Sequence, residues 1–397
     1  MAELDYSVFE PCDKKNVDDG ENRQFLVKGS FQDLVDRGWS WAEFFAFLDH
    51  DDNIVWSAMA GTPEECCVCA SKSEFEKPSK HEYELEFIVQ MVQVSSTSQE
   101  ESAIDQRMTS QKLKLTAPTV DSAASTLHGI FRLVANSKNL GATSAEVTLK
   151  CFATQPRTPI PILQSDLLRQ AIGTAHSRSS TDHHNPISCM RFHFVSIDAQ
   201  SARAINECGV GHVEFRQCFV EDGWSKLLAS TANSGSSDDI SESYYGLKRL
   251  SVSCTMPEFA HLGRSLSGNS TLEELDLLLH FWLQGPALEA FSDALDTTTR
   301  LKELKIQYLD INDKGWDRIC RSLHNHPSLE RLELGFTEKF VDNFRRLTPE
   351  RRISRTKSVL ALVQANLTIT DIVWPEFQQD ESTMQQVAQL LGQRNNR

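Results

Sequence analysis

The chain has 397 residues, 40% apolar and 24% charged, with 55 acidic against 40 basic side chains and a net charge of −15. That is a globular composition, and its sign argues against a general nucleic-acid binder, whose affinity rests on Lys and Arg. No run approaches the ~18 consecutive apolar residues of a membrane span, and the polar, acidic start MAELDYSVFEPCDKKN lacks the pattern of a secretory signal.

In chain order, residues 1–80 come first and read as an N-terminal cap or small accessory region. GWSWAEFFAFLDHDDNIVW predicts a helix around Trp41, Phe44, Phe45 and Leu48. The ten cysteines are scattered singly apart from Cys66, Cys67 and Cys69. That usage reads as reduced thiols, so a cytoplasmic or nuclear protein is expected. Zinc needs four ligands, commonly from two spaced pairs, and no second pair accompanies ECCVC. These thiols are read as free, near a loop, and no metal or other cofactor is expected.

Residues 81–397 carry a different pattern. Leu85, Phe87, Val89 and Met91 alternate, a strand signal. Lys112–Leu115 and Ala145–Phe152 predict further strands, with a helix carrying Leu127, Ile130, Phe131 and Val134 between them. Asp182, His183 and His184 fall in a polar loop and are read as solvated. From residue 187 onward one motif recurs, with apolar residues at i, i+3 and i+5. It is seen at Ile187/Met190/Phe192, Val210/Val213/Phe215, Leu247/Leu250/Val252, Leu272/Leu275/Leu277, Leu301/Leu304/Ile306, Leu329/Leu332/Leu334 and Ile369/Ile372/Trp374. From Leu247 the steps are 25, 29, 28 and 40 residues. A helix would continue at i+4 and i+7, and a half-buried strand would use every second position, so the mixed spacing suits a turn into a very short strand.

Each motif is followed by an amphipathic helix. The apolar faces are Phe259/Leu262/Leu266, Leu288/Phe291/Leu295, Trp316/Ile319/Cys320/Leu323, Val359/Leu362/Val363 and Met384/Val387/Ala388/Leu391, with Gly392 as a cap. Gly223-Trp224 matches Gly315-Trp316. His324 and His326 read as helix-end residues. Ser230–Ser243 reads as a flexible loop. The longest step holds a basic insertion, Arg345–Lys357. One strand-helix unit cannot bury its apolar face alone, so the units must stack.

These motifs and their 28–29-residue steps resemble the ribonuclease-inhibitor-like class of leucine-rich-repeat proteins, clearly over 187–397 and weakly over 85–186. Cys218 fits the Asn/Cys position of that class, whereas Leu309 and Thr337 depart from it. The resemblance implies a curved right-handed α/β solenoid with a parallel sheet on the concave side and helices on the convex side. It also implies a protein-binding surface.

Strand residues between the apolar positions should face solvent. The expected partner-binding set is Glu214, Arg216, Lys248, Arg249, Ser251, Glu273, Asp276, Lys302, Lys305, Arg331 and Glu333. Glu274 and Asp371 flank it. A second candidate is the basic insertion, through Arg345, Arg346, Arg351, Arg352 and Arg355, as a dock for an acidic or phosphorylated partner. Arg351-Arg352-Ile353-Ser354 also resembles a basophilic kinase site. No phosphate-binding glycine loop, nucleophile elbow or zinc-protease motif occurs. The expected role is a non-catalytic protein-binding scaffold or adaptor, monomeric, with no nucleic acid and no membrane. The alternatives are a regulator of an enzyme, such as a GTPase activator, or a substrate receptor of a ubiquitin ligase. The acidic tail usual in the former and the Leu-Pro start of an F-box in the latter are both absent.

Overall fold

The computed structural model describes residues 9–11, 23–28, 36–38, 53–58, 65–70, 83–93, 112–117, 143–153, 162–163, 187–207, 209–220, 222–229, 246–335, 348–374 and 381–395. The chain divides into two compact units, Met1–Val210 and Gly211–Arg397.

The first unit contains strands β1 (Phe9–Pro11), β2 (Arg23–Lys28), β3 (Asn53–Ala58), β4 (Glu65–Ala70), β5 (Tyr83–Gln93), β6 (Lys112–Ala117), β7 (Thr143–Ala153), β8 (Ile162–Leu163), β9 (Ile187–His193) and β10 (Ser196–Ile197), then helix α1 (Ala199–Glu207). Their order is β1-β2-β4-β3-β6-β5-β7-β9, with β8 and β10 paired separately. The expected strands at Leu85–Met91, Lys112–Leu115 and Ala145–Phe152 are present as β5, β6 and β7. Their pairing differs from that of weak stacked repeats. β5 lies between β6 and β7 and runs antiparallel to both, whereas stacked strand-helix units pair parallel in chain order. Apolar alternation predicts a strand but carries no direction. The ECCVC segment, whose thiols were expected near a loop, lies in strand β4, paired antiparallel to β2 and β3. The helices expected at Trp41–Leu48 and Leu127–Val134, and the Asp182–His184 loop, lie outside the described residues.

The second unit alternates short strands and helices: β11 (His212–Arg216), β12 (Phe219–Val220), α2 (Trp224–Leu227), β13 (Arg249–Ser253), α3 (Met256–Leu266), β14 (Glu274–Leu278), α4 (Gly285–Thr297), β15 (Glu303–Gln307), α5 (Asp313–Ser322), β16 (Arg331–Gly335), α6 (Pro349–Ala365), β17 (Asp371–Val373) and α7 (Glu381–Asn395). β11, β13, β14, β15, β16 and β17 form one parallel sheet in that order. The unit is thus an α/β repeat in which the i+3 and i+5 positions of the motif stack in register. Val213, Leu250, Leu275, Leu304, Leu332 and Ile372 align across it, as do Phe215, Val252, Leu277, Ile306 and Leu334. The first residue of each motif is buried at the turn into its strand, as at Leu272, Leu301, Leu329 and Ile369.

Local chemistry starts each helix where the pattern requires. Pro257, Pro286 and Pro349 stand in the first turns of α3, α4 and α6, where a missing N–H costs nothing. Asn312 caps α5, its side-chain oxygen accepting from the Gly315 N–H at 2.8 Å. The expected helix faces are buried, including Phe259, Leu262, Leu266, Phe291, Leu295, Trp316, Ile319, Leu362 and Val363. α7 buries Val387 but leaves Ala388 exposed, and it runs through Gly392, so that glycine is not its cap. The Trp224/Trp316 match also holds in bonding. Each indole N–H reaches a later helix, Trp224 to Glu258 Oε2 at 3.1 Å and Trp316 to the Arg355 carbonyl at 3.2 Å. The Ser230–Ser243 loop lies outside the described residues. Among those described, no helix is long and apolar enough to cross a membrane.

Candidate functional site

In β14 and β15 burial alternates strictly, so Leu275, Leu277, Leu304 and Ile306 are buried while Asp276, Leu278, Lys305 and Gln307 are half-buried. The expected partner-binding residues fall on this outward side of the sheet or on the turn just before it, except Glu214, which is buried between Val213 and Phe215 at 8% exposure and is withdrawn from the set. The parallel register sets them in rows. One runs Arg249–Glu274–Glu303–Arg331–Asp371, and the next Glu214–Ser251–Asp276–Lys305–Glu333. On the turn, Lys248, Glu273, Lys302 and Glu330 are linked backbone to backbone, each N–H donating to the carbonyl one repeat earlier.

Opposite charges in neighbouring strands pair. Arg249 meets Glu274 at 2.8 Å, Lys305 meets Glu333 at 3.1 Å, and Arg331 lies 3.3 Å from Asp371. Lys302 donates to Glu273 at 2.9 Å, and Arg216 pairs with Glu214. The hydrogen bond from Lys302 is the main reason that the Glu273 carboxyl lies below its usual range. Partly exposed pairs of this kind are worth little individually, roughly 0–1 kcal/mol. They fix side-chain positions more than they stabilise the sheet.

Asp276 is the exception. Its carboxylate accepts only from the Gln307 amide, at 3.1 and 3.4 Å, and has no ion pair among the described residues. Burial raises its pKa. Lys305 and the Gln307 hydrogen bond offset that in part, while Glu333 and Glu214 reinforce it.

Three aromatic residues absent from the sequence-based site stand beyond the ends of β14 and β15. The His280 and Tyr308 rings lie 4.8 Å apart. Trp282, in an isolated parallel bridge with Asp310, is 53% exposed. Tyr308 adopts φ +58°, a left-handed conformation rare outside Gly and Asn. The signal was present in LLLHFWLQGP, where one indole stands amid leucines, but nothing in the spacing shows that Trp282 is turned outward while Leu279 and Leu283 are buried.

The basic insertion changes character. Arg345 and Arg346 lie outside the described residues, and Arg351, Arg352 and Arg355 are on α6. Arg355 is 3% exposed, so it is withdrawn from the docking set. Its Nε donates to Asp313 Oδ1 at 2.8 Å, its Nη2 donates to the Ile311 carbonyl at 2.6 Å, and its guanidinium lies over Trp316 at 5.4 Å. Arg351 grips the same carboxylate through both oxygens, at 2.6 and 3.2 Å. Burial alone would raise the Asp313 pKa, but the hydrogen bonds from Arg351 and Arg355 hold it below the usual range. This is a clasp between α5 and α6. Ser354 is exposed on α6.

No family model matches this chain, and no curated protein matches it. Among solved structures the chain is similar to leiomodin-1 actin-binding site 2, at 17% identity over 36% of this chain and 75% of that one, with a TM-score of 0.29. A superposition that shallow constrains neither the fold nor a partner.

Proposed function

We propose that the chain is a leucine-rich-repeat solenoid that binds a protein partner, without catalysis, through the outward face of its parallel sheet. Helices are wider than strands, so stacking such units would curve the array and make the strand face its concave side. The observation that carries the reading is the in-register charged rows of β11–β17 bordered by the exposed Trp282. Aligned charges of both signs suit discrimination between protein surfaces more than raw affinity, and an exposed aromatic provides an anchor.

The test is affinity purification from native extract with three baits: wild type, Asp276→Arg/Glu333→Arg, and Arg345→Glu/Arg346→Glu. The last changes charge alone, because deleting the insertion would destroy the Arg355 clasp. A partner lost only from the first double variant, with an unchanged circular dichroism spectrum, supports binding by the strand face. Loss only from the second moves the site to the insertion. Identical recoveries from all three sink the reading.

A further inference from the structure

Helix α6 carries three hydroxyl side chains, and their surroundings differ. Thr356 is buried and donates to the Arg352 carbonyl at 3.0 Å. Ser358 is half-buried and donates to Asp317 Oδ1 at 3.2 Å. Ser354 alone of the three is exposed, on a solvent-facing stripe with Glu350, Arg351, Lys357 and Ala361. It is also the one of the three preceded by arginines at both two and three residues, Arg352 and Arg351. The pattern read by basophilic kinases thus falls on the accessible hydroxyl of this helix.

Inside the closed helix that pattern is not readable. Residues advance about 100° each, so Arg352 lies roughly 160° around the helix from Ser354 while Arg351 lies roughly 60° away. Arg351 also grips Asp313 on α5, at 2.6 and 3.2 Å. Arg355, next to the serine, is buried on the same carboxylate at 2.8 Å and on the Ile311 carbonyl at 2.6 Å. A cleft that engages both upstream arginines and the hydroxyl at once needs Arg351–Ser354 extended. The first two turns of α6 must therefore open, which releases Arg351 from Asp313. Helix ends open locally at far less cost than a whole unit unfolds, and the clasp sets how often this end does.

We propose that Ser354 is a phosphorylation site for a kinase that recognises arginines two and three residues upstream, and that the Asp313 clasp controls access to it. In the transfer, Ser354 Oγ bonds to the γ-phosphorus of ATP. The bond from that phosphorus to the β–γ bridging oxygen breaks, ADP leaves, and the hydroxyl proton passes to the kinase's general base. The product adds about −1.5 to −2 of charge, one turn from both Arg351 and Lys357. It competes with Asp313 for Arg351, so the modified helix recloses less tightly on α5. Ser354 is on a helix and not on the strand face, so the site stands apart from the partner-binding reading.

The experiment incubates the full chain with ATP and the catalytic subunit of cyclic-AMP-dependent protein kinase, and maps and times phosphate incorporation by mass spectrometry. The wild type should take up phosphate at Ser354, and Ser354→Ala should take up none in α6. Arg352→Ala leaves Arg351, Arg355 and Asp313 in place and should slow transfer about tenfold, the scale of one charge-assisted contact. Asp313→Asn keeps the sequence around Ser354 but weakens the clasp, and should speed transfer about fivefold or more. Ser358→Ala frees α6 from Asp317 alone and should speed it less. It carries the access test if circular dichroism shows that Asp313→Asn does not fold. Amide hydrogen exchange of the phosphorylated chain should rise in the first two turns of α6 and not in β13 or β14. No phosphate on Ser354 in both wild type and Asp313→Asn, or phosphate on Thr356 or Ser358 instead, overturns the site. One rate in wild type, Asp313→Asn and Ser358→Ala overturns control by the clasp. A rate unchanged by Arg352→Ala overturns recognition of the arginines.

Discussion

At the scale of single residues, two buried polar side chains make opposite demands. Arg355 is charged and compensated: Asp313, the Ile311 carbonyl and the Trp316 ring surround it. Removing one partner of a buried pair is expensive because the rest is left unsatisfied, so Arg355→Ala should cost about 3 kcal/mol in urea unfolding. Arg351→Ala, at the exposed half of the clasp, should cost under about 1 kcal/mol. His326 is buried and held neutral. Its Nδ1 accepts from the Ser328 N–H at 3.4 Å, leaving Nε2 to donate to Thr298 Oγ1 at 3.1 Å. Burial pushes its pKa down to about 4, from 6.5. The unfolded chain therefore takes up a proton as pH falls from 6.5 toward 4 while the folded one does not, so stability is lost across that window and the penalty levels off below it. His326→Asn should flatten this limb, on the order of 1 kcal/mol between pH 7 and pH 5 in denaturant titrations.

At the scale of elements, His326 belongs to a series. Asn269, Thr298, His326 and Asn366 each lie three residues before the first apolar residue of a motif, and all are buried. Asn269 donates to the Leu228 carbonyl at 2.9 Å, and Asn366 to that of Leu323 at 2.7 Å. Leu228 and Leu323 are the C-caps of α2 and α5, so each asparagine satisfies an orphan helix-end carbonyl one repeat back. Asn269 also accepts from the Leu272 N–H at 2.8 Å, fixing the turn into the strand. Asn269→Ala should cost about 1–3 kcal/mol, since the buried groups it serves stay behind. Where α3 packs on α4, a Cβ at Gly263 would lie 2.9 Å from the Phe291 nitrogen and 3.1 Å from the Ala290 carbonyl carbon. Backbone does not yield as a side chain does. Gly263→Ala should therefore destabilise by about 1–3 kcal/mol, despite its better helix propensity; an unchanged melting temperature would contradict that packing.

At the scale of the whole second unit, each strand-helix pair touches mainly its neighbours in the sequence. Stability in such arrays is approximately a sum of unit and nearest-neighbour terms, and unfolding starts from an end. In α7, Thr383 and Val387 alone are buried. Val387→Ala should speed amide hydrogen exchange in α7 and β17 first, leaving β13 and β14 protected. A uniform rise across the unit would show one cooperative block instead.

The repeat positions from Leu247 to Ile372 were legible in the sequence, because a leucine at fixed spacing is both the signal and the cause of burial. So were the charged rows between them, since strand alternation places them mechanically. Arg355 was misread because a charge run looks solvated; its sequence neighbours say nothing of Asp313, 42 residues away. Residues 85–186 showed their strands but not the antiparallel pairing, as apolar alternation is blind to direction. His326 passed as a helix end, since its role depends on Thr298 one repeat earlier. The sequence by itself determined which apolar side chains of the repeated motif would be buried in the second unit, because period 2 and period 3.6 are properties of a single chain. Only the tertiary structure decided which buried or half-buried polar groups find partners. Those partners come from other repeats, as the Gln307 amide does for Asp276.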